Sequence, residues 1–281
     1  ESGEAGMLRR RHAEWSLQVA EAAEPFNDRG LANLNPGTVT MAAVDPGAVD
    51  RKIRYRRELS GALAWALRND DAAFAVRLGV AVGNWLCHPT VAGRRSCFER
   101  LVDLARGLDA PVRLARSLHV LGKTAVFQGD GSLAEQHLRE ALTLCESLDD
   151  VVGVSWLLND IGEALVTQDR WAEAIDYLER AIAAKHQLGD VGSELHSRHW
   201  LGEAHRAGGH WEAARRCYEA CLEVSDVDAS YGGWSRSNLG WMCWRMADHE
   251  AAARHFGTVV RVALVAPDWD EEAAILAKVS A

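Results

Sequence analysis

Three groups of residues in this sequence have types and spacings that could do chemistry. Gly122-Lys123-Thr124 matches the end of a phosphate-binding loop. Such a loop needs another glycine five residues earlier, so that backbone N–H groups can cradle the phosphates; Ser117 stands there. The triplet also falls inside a helix-like apolar pattern, so no phosphate cradle is expected. His196, His199, His205, His210, Cys217 and Cys221 lie close in sequence and suggest zinc. His196 and His199 share one helix face, and Cys217 and Cys221 share another at i, i+4. The third group is tryptophan. The chain has 11 Trp against 5 Phe and 4 Tyr, and each Trp offers a large flat face with one N–H donor. No Ser/His/Asp or Cys/His pairing stands out, and the Asp and Glu residues fall mostly on exposed helix faces. No catalytic residue, metal or cofactor is therefore expected.

The elements that position these residues form a repeat. Leu121-Gly122, Ile161-Gly162, Leu201-Gly202 and Leu239-Gly240 are spaced 40, 40 and 38 residues apart. A turn signal follows each glycine: Gly129-Asp130-Gly131, Asp169-Arg170-Trp171, Gly209-His210-Trp211 and Ala247-Asp248-His249. Then come a small residue (Ala134, Ala174, Ala214, Ala252), a large one (Leu138, Leu178, Tyr218, Phe256) and Ala141, Ala181, Cys221 or Val259. The glycine in a first helix lets a second helix approach closely, and the large residue fills the space between them. Each pair leaves an apolar face that only a neighbouring pair can cover. The alignment weakens the zinc reading, because Cys221 occupies a small core position. Trp171 and Trp211 recur at the turn and are read as structural.

The order small, turn, small, large, small resembles the tetratricopeptide repeat. The period near 40 exceeds the usual one. The additional residues fall at Leu148-Asp149-Asp150 and Leu188-Gly189-Asp190, where longer helices and a helix-ending Gly189 are expected. In stacked pairs of this family the first helices line an inner groove. The resemblance implies that offsets −6, −3, +1, +4 and +5 from the glycine point inward, a set compatible with one helix face. That face carries Arg116, His119, Lys123, Val126 and Phe127 in the first unit, and Trp156, Asn159, Glu163, Val166 and Thr167 in the second. It carries His196, His199, Glu203, Arg206 and Ala207 in the third, and Trp234, Ser237, Trp241, Trp244 and Arg245 in the fourth. Two readings of these Trp remain open. They bind a ligand with apolar and polar parts, such as a sugar, an aromatic metabolite or a peptide, or they pack against the next unit.

The expectation is an all-α superhelix of tetratricopeptide-like repeats with an irregular helical N-terminal part. Residues 111–281 would hold four repeats and a C-terminal capping helix from Asp270 to Val279. Residues 1–110 would hold a helix from about Leu8 to Ala23 and a Pro/Gly-rich loop at about 25–50. Helices over Leu59–Leu67 and Ala72–Val82 follow, the latter opening a degenerate repeat on Val82-Gly83 whose second helix spans Arg94–Leu104. Net charge is −9, against the basic surface that gripping nucleic acid requires. No apolar run reaches a membrane span, and no secretory signal opens the chain. The chain starts without Met, as a processed protein or a piece of a larger one would. The six cysteines read as reduced thiols of a cytoplasmic protein.

The N-terminal half adds a second resemblance. Arg9-Arg10-Arg11-His12-Ala13-Glu14-Trp15 with Leu17 and Ala20-Glu21 is similar to the helix opening the effector region of actinobacterial STAND regulators. These are signal-transduction ATPases that include LuxR-type and antibiotic-regulator-type transcription factors. Leu59-Ser60-Gly61-Ala62-Leu63-Ala64-Trp65-Ala66-Leu67, with Asn69-Asp70 and Ala75-Val76-Arg77-Leu78, resembles the next piece. Gly93-Arg94-Arg95-Ser96-Cys97-Phe98-Glu99-Arg100-Leu101 resembles the piece before the repeats. The likeness covers residues 8 to about 260 apart from the 25–50 loop. It implies a sensor or interaction region; the family's ATPase and DNA-reading motifs are not found in this sequence. The expected partner is a small-molecule or peptide effector bound in the groove. The alternative is a scaffold that binds another protein or a second copy of itself.

Overall fold

The computed structural model describes residues 3–22, 55–69, 71–86, 94–223 and 229–265. The expected loop at 25–50, the turn from Cys87 to Gly93 and the capping helix at 270–279 lie outside the described residues. Among the described residues there are twelve helices and no strand. They are α1 (Gly3–Ala22), α2 (Arg56–Ala66), α3 (Ala72–Leu86), α4 (Arg94–Arg106), α5 (Pro111–Phe127), α6 (Gly131–Ser147), α7 (Val151–Val166), α8 (Trp171–Gln187), α9 (Val191–Ala207), α10 (Trp211–Glu223), α11 (Ala229–Arg245) and α12 (His249–Val265). The four repeats are the pairs α5/α6, α7/α8, α9/α10 and α11/α12; α3/α4 is the degenerate pair before them.

One turn device builds the array. Gly129, Asp149, Asp169, Gly189, Gly209 and Ala247 each follow a helix with φ between +53° and +76°. The next residue then donates its N–H back across the last turn. Asp130 donates to Ala125 O, Asp150 to Cys145 O, Arg170 to Leu165 O, Asp190 to Lys185 O, His210 to His205 O and Asp248 to Cys243 O, at 2.8–3.1 Å. Each satisfies a carbonyl that the ending helix leaves open. Where that residue is Asp, its carboxylate caps the next helix. Asp130, Asp150, Asp190 and Asp248 accept from the N–H of Leu133, Gly153, Ser193 and Ala251 at 2.8–3.2 Å. A residue that cannot continue one helix thus starts the next within three positions.

The repeat glycines do what their spacing predicts. A Cβ on Gly122, Gly162, Gly202 or Gly240 would stand 2.5–2.8 Å from Leu138, Leu178, Tyr218 or Phe256. These are the large residues of the same pairs, so the two helices touch through a missing side chain. One apolar core runs without a break from Ala13 in α1 to Ala204 in α9. A second, smaller one holds Ala214, Tyr218, Leu239 and Met242. The first helices of neighbouring repeats touch one another directly, α5 with α7, α7 with α9 and α9 with α11. The second helices make their main contacts with first helices. The closer inner row places the first helices on the hollow side of the superhelix.

Candidate groove on the first helices

The predicted inner face divides into a buried polar floor and an open aromatic end. The floor begins on α5 and α7. The His119 ring nitrogen Nε2 lies 2.6 Å from Asp160 Oδ2, and Lys123 Nζ donates to Asp160 Oδ1 at 3.0 Å and Glu163 Oε2 at 3.2 Å. Asn159 Nδ2 donates to Asp160 Oδ1 at 3.0 Å, and Asn159 Oδ1 accepts from Ser197 on α9 at 2.8 Å. Ser197 in turn accepts from Lys185 Nζ at 2.9 Å. Lys185 is fully buried on α8; it also donates to the Ser193 carbonyl at 3.2 Å and lies 4.4 Å from the centre of the Trp156 ring. Polar side chains therefore run continuously through the first three repeats.

Electrostatics sort this network. Burial opposes the charge on Asp160, but Lys123 and His119 overcome it and hold the carboxyl well below the usual carboxylate range. Glu163 goes the other way: burial raises it, and the neighbouring Asp160 charge adds to that. Two carboxylates share one lysine, and the better-bonded one is the more strongly held in its charged form. Burial depresses Lys185 to about 8, and burial with the Lys185 and Lys123 charges puts His196 well below its ordinary value.

Beyond the floor the face opens. The Trp156 and His196 rings are 6.5 Å apart, and the Trp200 indole donates to His196 Nε2 at 3.0 Å. His199 is buried, with its ring 5.6 Å from that of Trp234 and its Nδ1 3.1 Å from Ser235 Oγ. Glu203 accepts from Arg206 at 2.6 Å, from the Tyr218 hydroxyl at 2.7 Å and from the Asn238 amide. These bonds hold it ionised although burial opposes this most strongly. The Trp241 ring has the Arg206 guanidinium 5.7 Å from its centre and that of Arg245 at 5.4 Å. Trp211, read as structural, packs 6.1 Å from Trp241 yet stays 44% exposed; Trp244 is 53% exposed.

Of the fourteen predicted groove residues, Asn159, Glu163, His196 and His199 are buried and form the floor. Arg116, His119, Lys123, Trp156, Glu203, Arg206, Trp234 and Trp241 are half-buried, and Trp244 and Arg245 are exposed. The sequence reasoning missed Asp160, which stands two residues before its glycine, and Lys185 on a second helix. Lys185 carried a signal: its counterparts after Gly122 and Gly240 are Cys145 and Ala263. Cys217 and Cys221 are free thiols, and Cys221 donates to the Leu195 carbonyl at 3.5 Å. Among the described residues no group of three His, Cys, Asp or Glu could hold a metal ion. Gly122-Lys123-Thr124 lies in the body of α5.

The tetratricopeptide-repeat family model matches residues 113–187 and 193–264, more than half of the sequence. The chain belongs to the tetratricopeptide-repeat family. No curated protein matches it in sequence. Similar solved structures include a Rap protein complexed with Competence and Sporulation Factor, at a TM-score of 0.61 and 10% identity, covering 93% of this chain and 77% of that one. Aspartyl phosphate phosphatase F from Bacillus subtilis gives 0.56 at 13% identity, covering 80% and 68%. A STAND protein with a tetratricopeptide-repeat sensor from Pyrococcus horikoshii gives 0.61 at 12% identity. It is covered over 83% of this chain but only 36% of its own length. At such identities the likeness establishes the repeat superhelix, a fold that presents extended concave surfaces for recognition. Among the described residues no helix is long and apolar enough to cross a membrane.

Proposed function

We propose that this chain is a non-catalytic recognition module, the sensor region of a bacterial transcriptional regulator, which binds a peptide or small-molecule effector along its first helices. The observation that carries this reading is the open aromatic end of the groove. Trp241 is flanked by Arg206 and Arg245 beside an exposed Trp244, on a platform fixed by the bonds to Glu203. Rigid aromatic faces with cations beside them suit a ligand that has both apolar and charged parts. Arg116, His119 and Lys123 would contact its far end, Trp234 its middle, and the buried floor of Asn159, Glu163, His196 and His199, with half-buried Trp156 beside it, would keep the surface in shape. The Rap protein bound to Competence and Sporulation Factor and the STAND protein with a repeat sensor support a sensing role by analogy.

The test is calorimetry and Trp fluorescence of the chain against short peptides and candidate metabolites. A bound effector should lose about ten-fold or more in affinity with Trp241→Ala or Trp244→Ala, as interface aromatics usually do. Affinities untouched by both substitutions reject the groove. One observation favours a second reading, a protein-binding scaffold: Trp211, Trp244 and Met246 (73% exposed) are large apolar side chains left exposed near the turns of the last repeats. Concentration-dependent dimers in light scattering, with no response to small ligands, would favour it.

A further inference from the structure

Building on the groove reading above, we propose that the effector is an extended peptide with an acidic side chain near each end and neutral ones between. It would lie across all four first helices, α5, α7, α9 and α11, and its acidic groups would stand about nine residues apart. This narrows the ligand to one class and sets its charge pattern.

Charge is sorted by depth on these helices. Their acidic residues are Asp160, Glu163, Glu194 and Glu203, and all are covered, with side chains 2–13% exposed. None of their Lys and Arg residues is buried. Lys123 and Arg206 keep 17% and 33% of their side chains exposed over the carboxylates they bond. Arg245 is exposed against Trp241 and enters no ion pair among the described residues. The second helices show their acids instead: Glu173, Asp176, Glu179, Glu212, Glu219 and Glu250 are exposed, as a net charge of −9 leads one to expect. A ligand approaching the first helices therefore meets cations, with the compensating charges beneath them.

Placement decides between a small anion and a peptide. At the inward positions the cations stand at two ends, Arg116 and Lys123 on α5, and Arg206 and Arg245 around Trp241. The helix between, α7, carries no Lys or Arg, and the half-buried rings of Trp156 and Trp234 suit apolar side chains there. From α5 to α11 there are three steps between neighbouring first helices, each about 8–10 Å. With the shift from near the start of α5 to the end of α11, the two ends stand roughly 30 Å apart. A small molecule reaches one end; an extended chain, at about 3.3 Å per residue, reaches both in about nine residues. A guanidinium binds a carboxylate through charge-assisted bonds, so an acidic side chain suits each end.

A random library of phage-displayed peptides, about twelve residues long and panned on the whole chain, tests this. We expect the recovered peptides to be enriched in Asp and Glu at two places about eight to ten residues apart, with few Lys or Arg. In calorimetry a recovered peptide should bind one per chain and weaken as salt is raised. Arg245→Gln, or amidation of either acidic group, should weaken it about ten-fold or more. Arg254→Gln, at an exposed position of α12, should leave its affinity unchanged. Acids gathered at one place, basic peptides, or equal losses on Arg245→Gln and Arg254→Gln would overturn the proposal. Neutral peptides whose binding is lost on Trp241→Ala would overturn it and leave the groove standing. Acidic peptides that bind Trp241→Ala at full affinity would reject both. A library that yields no binder also overturns it, while the metabolite titrations still judge the groove.

Discussion

At the scale of single residues, the groove floor is a problem in sharing charge. Asp160 and Glu163 sit one helical turn apart beneath Lys123, and only one of them holds its charge firmly. Their replacements should therefore differ. Asp160→Asn leaves Lys123 and His119 facing a neutral amide and should cost about 3–5 kcal/mol in urea unfolding. Glu163→Gln resembles the protonated acid that burial already favours and should cost under about 1 kcal/mol. Equal losses would mean that the two carboxyls share the lysine evenly. Lys185 gives a pH signature. Its ammonium is depressed to about 8 in the folded chain against an unfolded value of 10.5. Between those values the unfolded chain binds the additional proton, so this residue makes stability rise with pH from about 8 to 10.5, and the gain is lost as pH falls. The full effect is about 3 kcal/mol. Lys185→Met should match or exceed the parent's stability at pH 7, and the parent should overtake or approach it by pH 10.

At the scale of elements, the turn geometry was legible in the sequence because it is local. Seven residues after each repeat glycine stands the residue that turns left-handed, and glycine fills that place in only two of four repeats. Ala247 and Asp169 adopt φ of +60° and +58°, a region that costs a residue with a Cβ about 1–2 kcal/mol. Ala247→Gly should accordingly raise stability by about 1 kcal/mol, read as a shift in the unfolding midpoint. The opposite change at a repeat glycine should hurt. Gly202→Ala puts a methyl 2.5 Å from a Tyr218 ring whose hydroxyl is tied to Glu203, and should cost about 1–3 kcal/mol. Gly240→Ala should cost less, because Phe256 is only half-buried and has no hydroxyl to anchor it. The helix pairs, their small-to-large contacts and Gly189 as a helix terminator could all be read from spacing. The buried network could not, because periodicity assigns a residue to a face and says nothing of depth. Asn159, Glu163, His196 and His199 share the groove's face, yet they are covered by the neighbouring first helices; Asp160 and Lys185 reach the same network from outside that face.

At the scale of the whole molecule, the array is not uniform. The main core ends at Ala204 in α9, and the smaller one starts at Ala214 in α10. Cys217 of α10 still packs against the main core and Tyr218 against Gly202, and polar contacts cross the seam beside them. Glu203 of α9 holds Tyr218 of α10 and Asn238 of α11, while His199 meets Ser235. In stacked repeats, opening free energy follows the interface each unit makes with its neighbour. Native-state hydrogen exchange should therefore show α10, α11 and α12 opening together, at lower free energy than α5 to α9. Glu203→Gln, which removes the charge that Arg206, Tyr218 and Asn238 surround, should lower that opening energy further, by about 1–3 kcal/mol, and leave exchange in α5 to α8 unchanged. A single opening free energy for all four repeats would mean that the seam carries as much cohesion as the continuous core. The Arg206–Trp241–Arg245 group stands across this seam, with Arg206 on one side and Trp241 on the other. An effector bound there would touch both parts at once and should slow exchange in α10 to α12 more than in α5 to α9, joining ligand binding to the rigidity of the array's end.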